Sequence, residues 1–313
     1  MSKNKSMYTM LLVTMISLAV STSNWVLIWM LLEFSTFVFI MFLFSNTLVL
    51  VCESSIKYFI VQSIASMFMF ISGFMLINVK LISLFWLLLM CVTIMIKIGV
   101  FPFHFWVIPV VEKLSYINLL MLFGPMKVIP LFLLENLWNN FNLSYILSWF
   151  MQVLAASTMV MGSIIGLSGT NLNQVLGASS ISHSGWFLLG VMTNQVWLYF
   201  YIYLISLGLL IFMLMQKVFL WASIMLVSLS GLPPYMLFLG KYQIIMFSLS
   251  FGINLSVLVL MVLSSVVSLY FYLKFAYLIY LNNKSSSTPF WLKSISLLYV
   301  LVSMASLVYF LSI

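Results

Sequence analysis

The sequence predicts an all-α, polytopic membrane protein with about eleven transmembrane helices, and three observations carry that prediction. Hydrophobic residues make up 65% of the 313-residue chain and charged residues only 5%, far less polar surface than a soluble chain of this length needs. Apolar runs of about 20 residues, the length that crosses a bilayer as a helix, follow one another along the whole chain. The connections between them are short, so residues 1–313 read as a single membrane domain without room for a soluble one.

The spans fall near 7–22, 25–44, 55–77, 81–100, 116–134, 144–165, 173–192, 197–216, 221–250, 253–277 and 291–312. The first follows Lys3 and Lys5, and its apolar run over 7–20 ends in Ser21, Thr22 and Ser23. That pattern also fits a secretory signal peptide, but the unbroken series of spans behind it favours a first transmembrane helix. The fourth span ends in Lys97-Ile98-Gly99-Val100-Phe101-Pro102, and the ninth contains Ser230-Gly231-Leu232-Pro233-Pro234 ahead of Lys241. Proline removes a backbone donor and clashes with the preceding turn, so both spans are expected to be broken helices. Carbonyls freed inside a membrane need a polar interior or a cavity. Breaks at the fourth and ninth positions suggest two five-helix units, 7–134 and 144–277, plus an extra helix at 291–312. Five is odd, so the two units have opposite orientations, the pattern of inverted repeats with an ion or substrate site at the broken helices. The longest connections are 101–115 and the Ser-rich 280–290.

The twelve basic residues are all lysines and the four acidic ones all glutamates, giving a net charge of +8. With the N-terminus inside, Lys3, Lys5, Lys113, Lys217 and Lys284 fall on the inner side, and Lys57 lies near the inner end of the third span. Lys80 then lies in an outer connection and Glu135 near another outer end, which agrees with the positive-inside bias. Dispersed lysines without arginine exclude a nucleic-acid surface. Cys52 and Cys91, with His104 and His183, make neither a disulfide framework nor a metal spacing. No metal and no iron–sulfur centre is expected in this chain. No GxGxxG opens a βαβ unit, so no dinucleotide site is expected. The run Gly162-x-x-x-Gly166-x-x-Gly169 reads as close helix packing. Trp25, Trp138, Trp197 and Trp291 sit near span ends, as interfacial anchors do, and the 24 methionines are packing residues rather than a copper site.

Glu33, Lys97, Lys127 and Lys241 each fall within or against an apolar run. A charge at the bilayer centre costs roughly 2.5–3.5 kcal/mol on insertion scales, so it is rarely left there without a partner or a task. Buried charges of both signs point to a path for protons or ions.

Six segments in order carry a resemblance. They are Trp29-Met30-Leu31-Leu32-Glu33; Glu53-Ser54-Ser55-Ile56-Lys57-Tyr58-Phe59 with Gln62; and Lys97-Ile98-Gly99-Val100-Phe101-Pro102-Phe103-His104-Phe105-Trp106. Then come Lys127-Val128-Ile129-Pro130-Leu131; Ser179-Ser180-Ile181-Ser182-His183-Ser184-Gly185-Trp186; and Gly231-Leu232-Pro233-Pro234 followed by Gly240-Lys241. Together the chain resembles the antiporter-like, proton-translocating membrane subunits of respiratory complex I, in the shortened animal form that lacks the first three helices of bacterial relatives. The resemblance covers nearly the whole chain and thins after residue 250. It departs in Leu172-Asn173-Gln174-Val175-Leu176, where relatives often carry basic residues, and in the absence of arginine.

The resemblance implies a multi-pass protein of the mitochondrial inner membrane with its N-terminus on the matrix side. It implies a subunit of an H+-translocating NADH:ubiquinone reductase whose NADH, FMN, iron–sulfur and ubiquinone sites lie in other subunits. Expected partners are the other membrane-arm and accessory subunits and phospholipids, cardiolipin among them, rather than further copies of this chain. Glu33 is implied as the carboxylate partner of a protonatable Lys97; a structural glutamate and a lysine snorkelling to the inner interface are the alternatives. Lys127 is implied as the middle proton station, or else caps carbonyls freed by Pro125 and Pro130. His183 is implied as a relay, suited by its near-neutral titration, or is a structural hydrogen-bonder. Lys241 is implied as the terminal station toward the outer side, or snorkels. His104 and Lys57 are weaker candidates for proton uptake, Lys57 otherwise facing inner headgroups. Glu112 and Lys113 read as solvated and Glu135 as interfacial. A stand-alone secondary cation/proton antiporter would share the buried charges and broken helices. A non-pumping scaffold is a further alternative.

Overall fold

The computed structural model describes residues 2–45, 49–78, 84–140, 145–281, 299, 301 and 303. Regular structure among the described residues is entirely helical. Eight helical stretches there are long and apolar enough to cross a membrane, in agreement with an all-α polytopic protein. The expected extra span at 291–312 lies almost wholly outside the described residues. The chain forms two compact units, Met1–Phe150 and Met151–Ile313.

The first unit holds α1 (Ser2–Ser21), α2 (Trp25–Phe44), α3 (Val49–Asn78), α4 (Leu84–Ile98), a 3-10 turn (Phe103–Trp106), α5 (Val107–Val111), α6 (Tyr116–Phe123) and α7 (Pro125–Asn140). Asn24 starts α2 by accepting a hydrogen bond from the Val26 amide at 3.2 Å, which satisfies one of the donors a helix start leaves free. α3 packs along both α2 and α4, and α4 also meets α7. The buried stripe of α3 is partly polar: Ser54, Ser55, Gln62, Ser66 and Ser72 lie on it with Tyr58, Ala65 and Met69.

α8 (Tyr145–Ser168) leads into the second unit, which contains α9 (Leu172–Met192), α10 (Val196–Met215), α11 (Phe219–Ser228), α12 (Met236–Ser250) and α13 (Leu255–Leu281). α9 is the central helix of this unit: it is buried throughout from Val175 to Met192 and packs against α10, α12 and α13. Serines make that burial possible. Ser179, Ser180, Ser182 and Ser184 donate to carbonyls three residues back, at 2.7, 2.8, 2.8 and 2.5 Å, so each hydroxyl proton is satisfied without water. Small residues let the neighbours close in. A Cβ at Gly162 would stand 2.6 Å from the Ser182 amide, and one at Gly166 would collide with the Phe271 ring, which is the close packing read from the glycine spacing.

Three boundaries differ from the expected ones. α3 begins at Val49 rather than near 55, taking in the apolar Val49-Leu50-Val51-Cys52 and the exposed Glu53–Lys57 pair one turn apart. The expected connection 101–115 contains the 3-10 turn and α5. The fifth span is two helices that meet at Gly124, where Pro125, with no amide hydrogen to lose, opens α7.

Candidate functional site

In the first unit the site is built around the end of α4. Lys97 is the next-to-last residue of that helix. Gly99 follows at φ +83°, a left-handed conformation that glycine adopts without steric cost. A Cβ there would also stand 2.7 Å from Val107 Cγ2. Trp106 Nε1 donates to the Ile96 carbonyl at 3.0 Å and ties the following turn back onto the helix end. This geometry holds the Lys97 side chain, 1% exposed, so that its Nζ lies 3.5 Å from Glu33 Oε1 on α2 and donates to the Gln62 carbonyl on α3 at 3.3 Å. The amine is buried and paired, not turned toward an interface. Opposite unit charges about 4 Å apart attract by about 4 kcal/mol at an effective dielectric near 20. That offsets only part of the cost of placing two charges at mid-membrane, roughly 2.5–3.5 kcal/mol for each. Holding both groups ionised there is therefore costly even when they are paired.

Two other candidate residues lie elsewhere in this unit. Lys127 is buried on the first turn of α7, its Nζ 5.6 Å from the centre of the Phe123 ring on α6. Pro130 lies inside the same helix. His104 is buried in the 3-10 turn between the rings of Phe101 and Phe105, at centroid distances of 5.6 and 4.5 Å.

Lys57 belongs to a cluster that sequence reasoning missed. Glu53 pairs through Oε1 with Lys57 and through Oε2 with Lys113, both at 2.6 Å. Lys113, expected to be solvated, thereby joins the end of the α4–α5 segment to the start of α3. The four-residue spacing of Glu53 and Lys57 was the available signal; nothing local in the sequence pointed to Lys113.

In the second unit Lys241 sits on the second turn of α12, buried, and donates from Nζ to the Ser230 carbonyl at 2.7 Å. Ser230 belongs to the stretch between α11 and α12, where Gly231 adopts φ +78°. A Cβ on Gly231 would stand 2.9 Å from the Lys241 amine, so the glycine makes room for the charge. The amine also lies 5.7 Å from the centre of the Trp186 ring on α9, a cation–π contact. One turn earlier on α9, the buried His183 holds its Nδ1 2.7 Å from the Tyr199 hydroxyl of α10.

The structure thus brings Glu33 to Lys97, His183 to Tyr199 and Lys241 to Trp186, with the Trp186 and Tyr199 rings 6.3 Å apart. Gln62, Glu53 and Tyr199 are partners that the sequence did not single out for these roles. Among the described residues, no three His, Cys, Asp or Glu side chains gather into a group that could hold a metal ion.

Residues 22–220 match the family described as NADH:quinone oxidoreductase/Mrp antiporter, TM. NADH-ubiquinone oxidoreductase chain 2 of Albinaria caerulea is 33% identical over 273 residues, covering 86% of this chain and 87% of its own length. The protein of the same name from Anopheles gambiae is 33% identical over 325 residues, covering 92% of each. A chain of respiratory complex I from Thermus thermophilus, solved with bound aureothin, superposes with a TM-score of 0.83 at 20% identity, over 96% of this chain and 77% of its own. That likeness is one of fold.

Proposed function

The chain belongs to the NADH:quinone oxidoreductase/Mrp antiporter family of membrane proteins, and from that premise we propose that this antiporter-like subunit moves protons in the membrane arm of an NADH–ubiquinone oxidoreductase. The observation that carries the reading is the buried Lys97 amine held against the Glu33 carboxylate at 3.5 Å. Ionisable residues inside a membrane are rare and commonly mark a proton or ion path.

The pair acts as the gate in this reading. When it closes, Lys97 holds its proton and its charge is cancelled. When it opens, an uncompensated charge appears in a low-dielectric interior and biases the protonation of Lys127. Lys127 loads from the matrix side, and His183 passes the proton to Lys241, which releases it outward. His104 and Lys57 assist uptake, and the Glu53 cluster holds Lys57 at the start of α3. Order and direction come from the family resemblance. The N-terminus is on the matrix side of the inner mitochondrial membrane, as the distribution of lysines favours. NADH, FMN, iron–sulfur clusters and ubiquinone belong to other subunits, and this chain passes their energy on as proton movement.

The fourth and ninth spans are the broken helices of two inverted repeats in this account. Three features support it: α4 stops at Ile98 beside Lys97, residues 229–235 separate α11 from α12 beside Lys241, and the two compact units divide at Phe150, near the expected repeat boundary. Neighbouring membrane-arm subunits and phospholipids such as cardiolipin cover the apolar exterior.

Native electrophoresis of gently solubilised membranes tests the assembly. The chain is expected to migrate with a very large particle that oxidises NADH. A small particle free of NADH oxidation would instead identify a stand-alone cation/proton antiporter.

A further inference from the structure

We propose that the hydroxyls of Tyr199, Tyr203 and Tyr272 form a buried cluster around His183 that binds water and carries protons between His183 and Lys241, with Tyr199 positioning the imidazole. This rests on the reading of His183 and Lys241 as proton-transfer groups, and it adds residues from two further helices.

Tyr199 and Tyr203 lie on α10 and Tyr272 on α13, and all three are fully buried side chains. Four residues separate Tyr199 from Tyr203, so both project from one face of α10 toward α9. The Tyr199 hydroxyl is 2.7 Å from His183 Nδ1, and the Tyr203 ring lies 4.7 Å from the imidazole. Phe187 on α9 packs edge-on against both tyrosine rings, at 5.5 and 5.7 Å, and fixes their direction. The Tyr272 hydroxyl approaches the Ser179 and Ser182 side chains but makes no hydrogen bond among the described residues. Those serines commit their protons to α9 carbonyls, so what they offer Tyr272 or a water is an acceptor.

Phenylalanine would fill the same space more cheaply. Burying a hydroxyl without a hydrogen bond is costly, and the Tyr203 and Tyr272 hydroxyls have no partner among the described residues. Tyr199 and Tyr203 at His183, with Tyr272 near Ser179 and Ser182, give a small ligand several donors and acceptors. Water suits such a site, since a buried water typically makes about three hydrogen bonds to polar groups. A phenol both donates and accepts. A proton arriving on one side of its oxygen is matched by one leaving on the other, so each tyrosine ends each transfer neutral and unchanged.

Tyr199 also reaches the second station. A Cβ on Gly240, the residue before Lys241, would stand 2.8 Å from Tyr199 Cδ2. The ring therefore fills the space that a side chain at 240 would take. Trp186, whose ring lies against the Lys241 amine, is 6.3 Å from the same tyrosine ring. Tyr199 thus touches His183 with its hydroxyl and the backbone beside Lys241 with its ring.

The test uses intact, membrane-reconstituted complex carrying Tyr199→Phe, Tyr203→Phe or Lys241→Gln. It reads NADH-driven proton flux per assembled particle in H2O and D2O, and the imidazole bands in the infrared. Lys241→Gln should abolish the contribution of this subunit to flux. Each Tyr→Phe variant should lower flux and change its solvent isotope effect, and Tyr199→Phe should also shift the imidazole band. If Tyr199→Phe does not assemble, Tyr203→Phe decides alone. Normal flux and isotope effect in the tyrosine variants, alongside loss in Lys241→Gln, would overturn the tyrosine proposal and leave the wider reading standing. Normal flux in Lys241→Gln would overturn both.

Discussion

At the residue scale, the Glu33–Lys97 pair sets the terms. Removing one member of a buried pair leaves a charge that nothing cancels, at a cost on the order of 3 kcal/mol. Glu33, 19% exposed, retains some access to solvent, so its loss should fall at the lower end. Glu33→Gln is expected to lower both the melting temperature of the assembled complex and its proton flux. Glu33→Gln combined with Lys97→Gln should recover much of the stability and none of the flux. If flux returned with stability, the pair would be a structural brace. The Glu53 cluster should behave differently. Its side chain is 49% exposed, and exposed ion pairs contribute little and are screened by salt. Glu53→Gln should therefore shift melting less than Glu33→Gln, and the difference from the parent should shrink further as ionic strength rises. A larger shift than that of Glu33→Gln would contradict this ranking.

At the element scale, the stretches after α4 and between α11 and α12 matter because each places a lysine. Gly231 can be tested directly. Alanine at a left-handed φ costs about 1–2 kcal/mol, and its Cβ would press on the Lys241 amine. Gly231→Ala is expected to reduce flux at an unchanged level of assembly, and normal flux would show that the amine has room to move. These stretches were legible in the sequence because proline and glycine act locally, whatever packs around them. So was Lys97, whose neighbours along the chain mark the end of its helix. Helix ends were less legible where side-chain pairing decides them. The early start of α3 lies beside the Glu53–Lys57 pair, and the helical stretch 103–111 is tied back through Trp106 to the Ile96 carbonyl, a contact across a turn that no local pattern announces. Tyr199 was illegible for a related reason. Its value lies in contacts across helices, and in the sequence it is one of 15 tyrosines in an aromatic-rich chain.

At the scale of the whole molecule, composition settled the class of protein, because 5% charged residues cannot cover a soluble chain of this length. The order of six short segments then gave the family. What composition and motif order could not give is which buried groups meet, since that depends on how helices distant in sequence pack. The central claim is that amines buried in the hydrocarbon layer carry protons for a larger redox machine. The most direct test is NADH-driven proton flux in vesicles containing assembled complex with Lys127→Gln or Lys241→Gln. The account predicts that flux falls in both while the particle stays intact and its NADH site still reduces an artificial acceptor. Undiminished flux in both variants would contradict it and leave the chain a scaffold.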